Sequence, residues 1–312
     1  MKQTTKSGVS RLKKHKINMK AVFAAFISFS ALFFSCKSLP AGNDVSAIEL
    51  LDNESSFYIA IPKNADQDLI TRIIQNNIEI SEKDAKTLSD RIEKVYCGLN
   101  RSRNSTEIQV AVDASIPQKY IPSLLNTKNG WTVSKFVPEN SSNVYPVYSS
   151  QGMNLAFPSD KLACLGRDVE NMLSTYDRLY TAEPVYAEEL DEEAEAKKLA
   201  PELYAFLEGA DSEIRFCANK PQSFLTILTG AQLDLKLIDV SGVFIQDPKL
   251  DRQYILNLTF NFKNETFLKA GKSLLTLAFG LTNSQSEIIG STTLKINGIK
   301  IDKNQLYKLL SL

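Results

Sequence analysis

Two runs of the chain alternate strongly between apolar and polar residues, and they limit the fold more than any other feature. In Glu107–Asp113, Ile108, Val110 and Val112 point one way, and Glu107, Gln109 and Asp113 the other. In Tyr254–Phe262, Leu256, Leu258, Phe260 and Phe262 share one side. A period of two is a strand with one apolar face, and that face has to be covered by another layer.

The covering layer is written between the strands. Phe57–Ile61 is a short apolar strand ended by Pro62, and Asp66–Asn76 puts Leu69, Ile70, Ile73 and Ile74 on one helical face. A second helical stretch from Ser81 to Ser89 opens on a capping box. Ile92–Leu99 and Glu107–Asp113 read as strands. Ser115 then caps a helix carrying Tyr120, Ile121, Leu124 and Leu125, with Pro117 near its start. Trp131–Val137 is a further strand. Asn154–Phe157 and Lys161–Leu165 form a hairpin, and Arg167–Tyr180 a closing helix.

The order then repeats. Ile214–Ala218 is a strand, Pro221 starts a helix stopped by Gly230, and Leu233–Ile245 is a strand expected to bend at Gly242. After Tyr254–Phe262, Asn264 caps a long helix. Asn297-Gly298 lies between alternating runs, the signature of a hairpin turn, and Asp302 caps a last helix. Each half reads β-α-β-β-α-β plus a hairpin and a helix. The expected class is α+β: two tandem ferredoxin-like (split βαβ) domains, each an antiparallel sheet with helices on one face. They span residues 51–180 and 210–312, joined by an acidic helical linker at 181–209 that is rich in Glu188, Glu189, Asp191, Glu192, Glu193 and Glu195.

The first 35 residues have a different character. Lys13, Lys14, Lys16 and Lys20 precede Ala21–Ser35, which is 15 residues without a charge. That suits a signal-peptide core and is short for a membrane span, which needs about 20 residues. Met19 is an alternative start. Leu32-Phe33-Phe34-Ser35 leads directly into Cys36 and resembles a bacterial lipobox, in the relaxed form of spirochaetal lipoproteins. The resemblance implies that residues 1–35 are removed and that the Cys36 thiol carries a diacylglyceryl group. Residues 36–50 would then tether the folded part to a membrane of the cell envelope, on its periplasmic or outer-membrane side.

Charge and composition narrow the chemistry. Lys and Arg number 36, as do Asp and Glu; seven of the basic residues and none of the acids lie in the first 35, so the remainder carries −7. Such a surface is a poor non-specific binder of nucleic acid. The single histidine, His15, falls within the removable segment. Without it, Ser-His-Asp and Cys-His catalysis and His-ligated metal sites are excluded. No phosphate-binding glycine loop, C-x-x-C or G-x-S-x-G motif is present.

Cys97, Cys164 and Cys217 sit among apolar strand residues. They read as small buried hydrophobes, with a Cys97–Cys164 disulfide as the alternative. Asp113, Asp160, Asp239 and Asp247 lie at strand ends, where carboxylates serve turns and caps. Trp131, Tyr145 and Tyr148 are the candidate binding residues; Tyr145, Pro146 and Tyr148 read either as an exposed ligand or partner patch or as an ordinary strand facing a small core. No cofactor, metal ligand set or catalytic residue is expected. The sequence supports a membrane-anchored, non-enzymatic interaction or structural module with an unnamed protein partner. The alternative is a carrier of lipid or small molecules with an apolar cleft between helix and sheet. A large apolar pocket would favour the carrier, and a flat sheet with exposed aromatics the module.

Overall fold

Each alternating run becomes a strand, and most consecutive strands lie side by side. The computed structural model describes residues 42–312 apart from 79–80, 102–105, 182–197, 231, 248, 251, 281–283 and 311–312. The signal peptide, Cys36, most of the tether and the acidic core of the linker lie outside the described residues. Residues from Asn43 onward form one unit.

A single-turn 3-10 helix at Ala47–Leu50 precedes β1 (Phe57–Pro62), α1 (Gln67–Ile78) and α2 (Glu82–Ser89). β2 (Ile92–Arg101) and β3 (Thr106–Ala114) lead to a four-residue helix, α3 (Ile121–Leu124), flanked by two 3-10 turns. β4 (Thr132–Phe136), β5 (Tyr145–Ser150), β6 (Met153–Ser159), β7 (Leu162–Gly166) and α4 (Val169–Thr181) complete the first half. The second half holds α5 (Pro201–Glu208), β8 (Ile214–Ala218), α6 (Gln222–Thr229), β9 (Leu237–Gln246) and β10 (Gln253–Phe262). It ends with α7 (Glu265–Phe279), β11 (Gln285–Ile289), β12 (Thr293–Asp302) and α8 (Lys303–Leu310).

These strands form one 12-stranded sheet in the order β11-β12-β10-β9-β8-β1-β2-β3-β7-β6-β5-β4. Every neighbouring pair is antiparallel. The expected pair of separate sheets is therefore corrected. β1 and β8 pair across the halves, with Tyr58 opposite Cys217 and Ile59 opposite Phe216. Two bare edges at the middle of the molecule are satisfied against each other.

The ferredoxin-like topology is also corrected. In a split βαβ unit the helix joins parallel strands with another strand between them. Here β1 and β2, and likewise β8 and β9, are direct antiparallel neighbours. Two helices after β1, or one helix and an extended return after β8, bring the chain back to the end it left. The repeat of elements is nevertheless visible in the sheet. The order β1-β2-β3-β7-β6 on one side of the centre mirrors β8-β9-β10-β12-β11 on the other.

One core runs the length of one face. It joins Ile59, Val112 and Ile70 of the first half to Phe216, Leu256, Leu258, Phe260, Leu268 and Leu275 of the second. Ile108 and Val110, expected to be fully covered, are only half-buried. The opposite face is covered mainly in the first half, where Met172 and Leu173 of α4 and Leu207 of α5 pack on Tyr58, Ala111 and Cys164. Leu199 and Leu207 are buried, so the end of the expected linker belongs to the core.

Two details of the second half differ from the sequence reading. Asn297-Gly298 is no hairpin turn but a bulge within the single strand β12, where the Asn257 side-chain oxygen accepts from the Gly298 amide at 2.9 Å. A glycine at φ +83° serves a bulge as well as a turn. β9 also runs through Gly242 without a register shift.

Candidate functional site

The two halves differ most over β2, β3, β6 and β7. In the second half the long α7 seals the equivalent surface with Leu268, Leu275 and Phe279, and α8 adds Leu306. In the first half the counterpart of α7 has shrunk to the four residues of α3. The closing helix α4 has crossed to the other face. What remains is a cavity of about 800 Å³ between sheet and helices.

Val95, Val110, Val112, Leu155, Ala163 and Leu165 form its floor. Ile70, Ile73 and Ile74 of α1 and Leu88 of α2 form one wall; Ile121, Leu124 and Leu125 form the other. Tyr120 and Leu124 stand at the mouth, 53% and 51% exposed. Polar groups lie at the margins: Asp84, Thr87 and Arg91 near α2, and Asn129, Ser150 and Gln151 near the β5–β6 turn. An apolar cleft of this size with a few polar groups at its rim is the form that small-molecule sites take.

The candidate aromatics are buried, which corrects the exposed patch. Trp131 lines the cavity and packs with Ile121 and Leu125. Tyr148 belongs to the same cluster and meets Phe157, a lining residue, edge-on at 6.3 Å. Tyr145 lies on the other face, because residues three apart on a strand point oppositely. There its hydroxyl donates to Asp177 Oδ1 at 2.7 Å, and its ring meets Tyr176 at 6.0 Å. Burial acts to raise the Asp177 carboxyl. Hydrogen bonds from Asn143, Tyr145 and Ser141 outweigh it and hold the group below the usual carboxylate value.

Cys97 belongs to the helix-covered core and Cys164 to the core on the opposite face, so they do not pair. Burial pushes all three thiols up to about 12, which removes the thiolate a nucleophile needs. Each of the four strand-end acids accepts a hydrogen bond from within the protein. Asp113 accepts from the Ala47 amide at 3.1 Å and Asp160 from the Gln118 amide at 2.8 Å. Asp239 accepts from the Asn261 side chain at 2.8 Å and Asp247 from the Lys249 amide at 2.9 Å. Among the described residues, no helix is long and apolar enough to cross a membrane.

An apolar cleft between helix and sheet is one of the two readings of the sequence, but apart from Trp131 the residues that line it are not singled out for binding. Its lining reads as ordinary core, and Tyr120, Ile121, Leu124 and Leu125 read as one face of a full helix. The available signal was the brevity of that helix, with Pro122 and Gly130 close by, against the long run after Asn264.

Comparison with known proteins matches the profile of a family described as outer membrane-associated lipoprotein TP0453 over residues 42–307. The chain belongs to this family. Membership makes it a lipid-anchored protein of the cell envelope, as the residues around Cys36 imply. Crystal form I of TP0453 is similar in structure, with a TM-score of 0.64 at 18% identity, covering 86% of this chain and 97% of that one. Crystal forms III and IV each give 0.61 at 19% identity, covering 86% and 98%. At these identities the likeness is one of fold. No curated protein matches the chain.

Proposed function

We propose that this envelope lipoprotein is a non-enzymatic carrier that holds a lipid or similar apolar small molecule between its sheet and helices. The observation behind this reading is the apolar cavity of about 800 Å³ in the first half. The equivalent space in the second half is filled by α7 and α8. Apolar burial without direction suits a ligand with a hydrocarbon body, at about 25 cal/mol for each Å² removed from water. The Cys36 anchor would keep the site beside a membrane, where such molecules are found.

The interaction-module reading also has an observation behind it. Phe267, Leu274 and Leu277 of α7 form an outward row, 37%, 44% and 80% exposed. Spaced by seven and three, they lie on one helical side. The two readings are compatible, since a carrier needs a donor or an acceptor.

Trp131 is the only tryptophan and lines the cavity, so energy transfer from it to a fluorescent naphthylamine probe reports occupancy. The full chain is expected to bind the probe saturably, and Val110→Phe, which fills the floor, to bind it at least about tenfold more weakly. Equal binding by the two proteins would end the carrier reading.

A further inference from the structure

The polar rim of the cavity is not electrically even. Asp84, Thr87, Leu88 and Arg91 are spaced by three, four and seven residues, so one side of α2 and its exit face the cavity. Asp84 is committed to the start of the helix. Its Oδ2 accepts from the Ser81 hydroxyl at 2.7 Å, and its amide donates to Ser81 Oγ at 3.2 Å. Arg91 is far less engaged. Its guanidinium makes one hydrogen bond, to the Ser115 carbonyl oxygen at 3.3 Å, and no ion pair among the described residues. Among the residues that line the cavity, Arg91 is thus the cation and Asp84 the carboxylate, already bonded to a cap.

We propose that the cavity selects amphiphiles with an anionic head, a carboxylate or a phosphate, which Arg91 grips while the hydrocarbon chain enters along Val110 and Trp131. The proposal rests on the carrier reading and adds the class of ligand. An arginine offers two parallel donors that match a carboxylate or phosphate edge. With one of its five N–H donors engaged among the described residues, Arg91 has the capacity for such a pair without losing its bond to Ser115. The chain supplies most of the affinity and the head sets the preference, because a rim pair remains partly hydrated.

The test uses the full chain in neutral-lipid nanodiscs and quenching of Trp131 by three chain-brominated probes of equal length: a fatty acid, a fatty alcohol and an alkylamine. Acetate and inorganic phosphate serve as chain-free controls. The acid is expected to bind about tenfold more tightly than the alcohol, with the amine weakest. Arg91→Gln should bring the acid to the level of the alcohol, and Arg91→Lys should restore part of the difference. Neither chain-free control should bind measurably; if either did, the site would be one for free anions and the proposal would fall. Equal affinity of acid and alcohol in the unaltered protein, or an acid preference that survives Arg91→Gln, overturns the head-group assignment and leaves the carrier reading standing. Absence of quenching by all three chains overturns both.

Discussion

Gly242 shows how a correctly noticed residue can have a different cause. A Cβ at this position would lie 2.6 Å from the Asn257 carbonyl oxygen and 2.8 Å from the ring of Phe216. The glycine makes room for a neighbour's ring, and only the pairing of β8 with β9 reveals that neighbour. Gly242→Ala should therefore cost about 1–3 kcal/mol by overpacking, read from urea unfolding. The aromatics carry the same lesson. Their burial was open in the sequence, but the parity that separates Tyr145 from Tyr148 was already legible.

Asp177 supports a pH prediction at the same scale. Its carboxyl lies below the usual value in the folded protein, so the charged form is favoured there. Its contribution is then present above the unfolded value of about 3.9 and is lost as pH falls through the lower folded value. The stability gap between the unaltered protein and Asp177→Asn should be constant near neutrality and shrink below about pH 4. A gap that widens on acidification would contradict this.

Among elements, the strands and their faces were the most legible part, because a period of two needs no partner to be read. Val112, Leu256, Leu258 and Phe260 are buried as their alternation requires. Helix length was less legible. Ser115 and Asn264 read as similar caps ahead of similar apolar spacing, yet α3 has four residues and no side-chain cap, and α7 has 15 and is capped by Asn264. The difference decides which half is sealed and which is hollow. Two substitutions separate these surfaces. Leu258→Ala, under the second half's helices, should cost about 2–5 kcal/mol. Val110→Phe, on the cavity floor, should leave stability unchanged or raise it by about 0.5–2 kcal/mol. Thermal and urea unfolding of both variants would decide. A large loss in Val110→Phe would mean that the floor is already closely packed.

At the scale of the molecule, two repeats share one sheet and one core. The β1–β8 pairing and the shared core are joined by a buried polar contact. Asp66 caps α1 by accepting from the Leu69 amide at 3.0 Å, while the Lys303 ammonium of α8 lies 2.8 Å away and the Tyr254 hydroxyl donates to it. Asp66 is 6% exposed, so Lys303→Ala should cost about 3–5 kcal/mol by leaving its charge unpaired. Unfolding should show one transition, and residues 45–180 and 210–312 expressed apart should lack dispersed amide spectra. Two transitions would restore the independent domains that the repeated order first implied. That order was legible; the joining of the sheets was not, because β1 and β8 are distant in sequence and nothing local marks their partnership. At the membrane end, Cys36→Ala should abolish partitioning into the detergent phase.

The central claim is that the hollow of the first half holds an amphiphile. Native mass spectrometry of the full chain, released from envelopes in mild detergent, tests it most directly. The predicted result is a non-covalent adduct beyond the acyl groups at Cys36, one anionic amphiphile per chain, present in the unaltered protein and lost in Val110→Phe. Identical spectra for the two proteins, with no such adduct in either, would contradict the account.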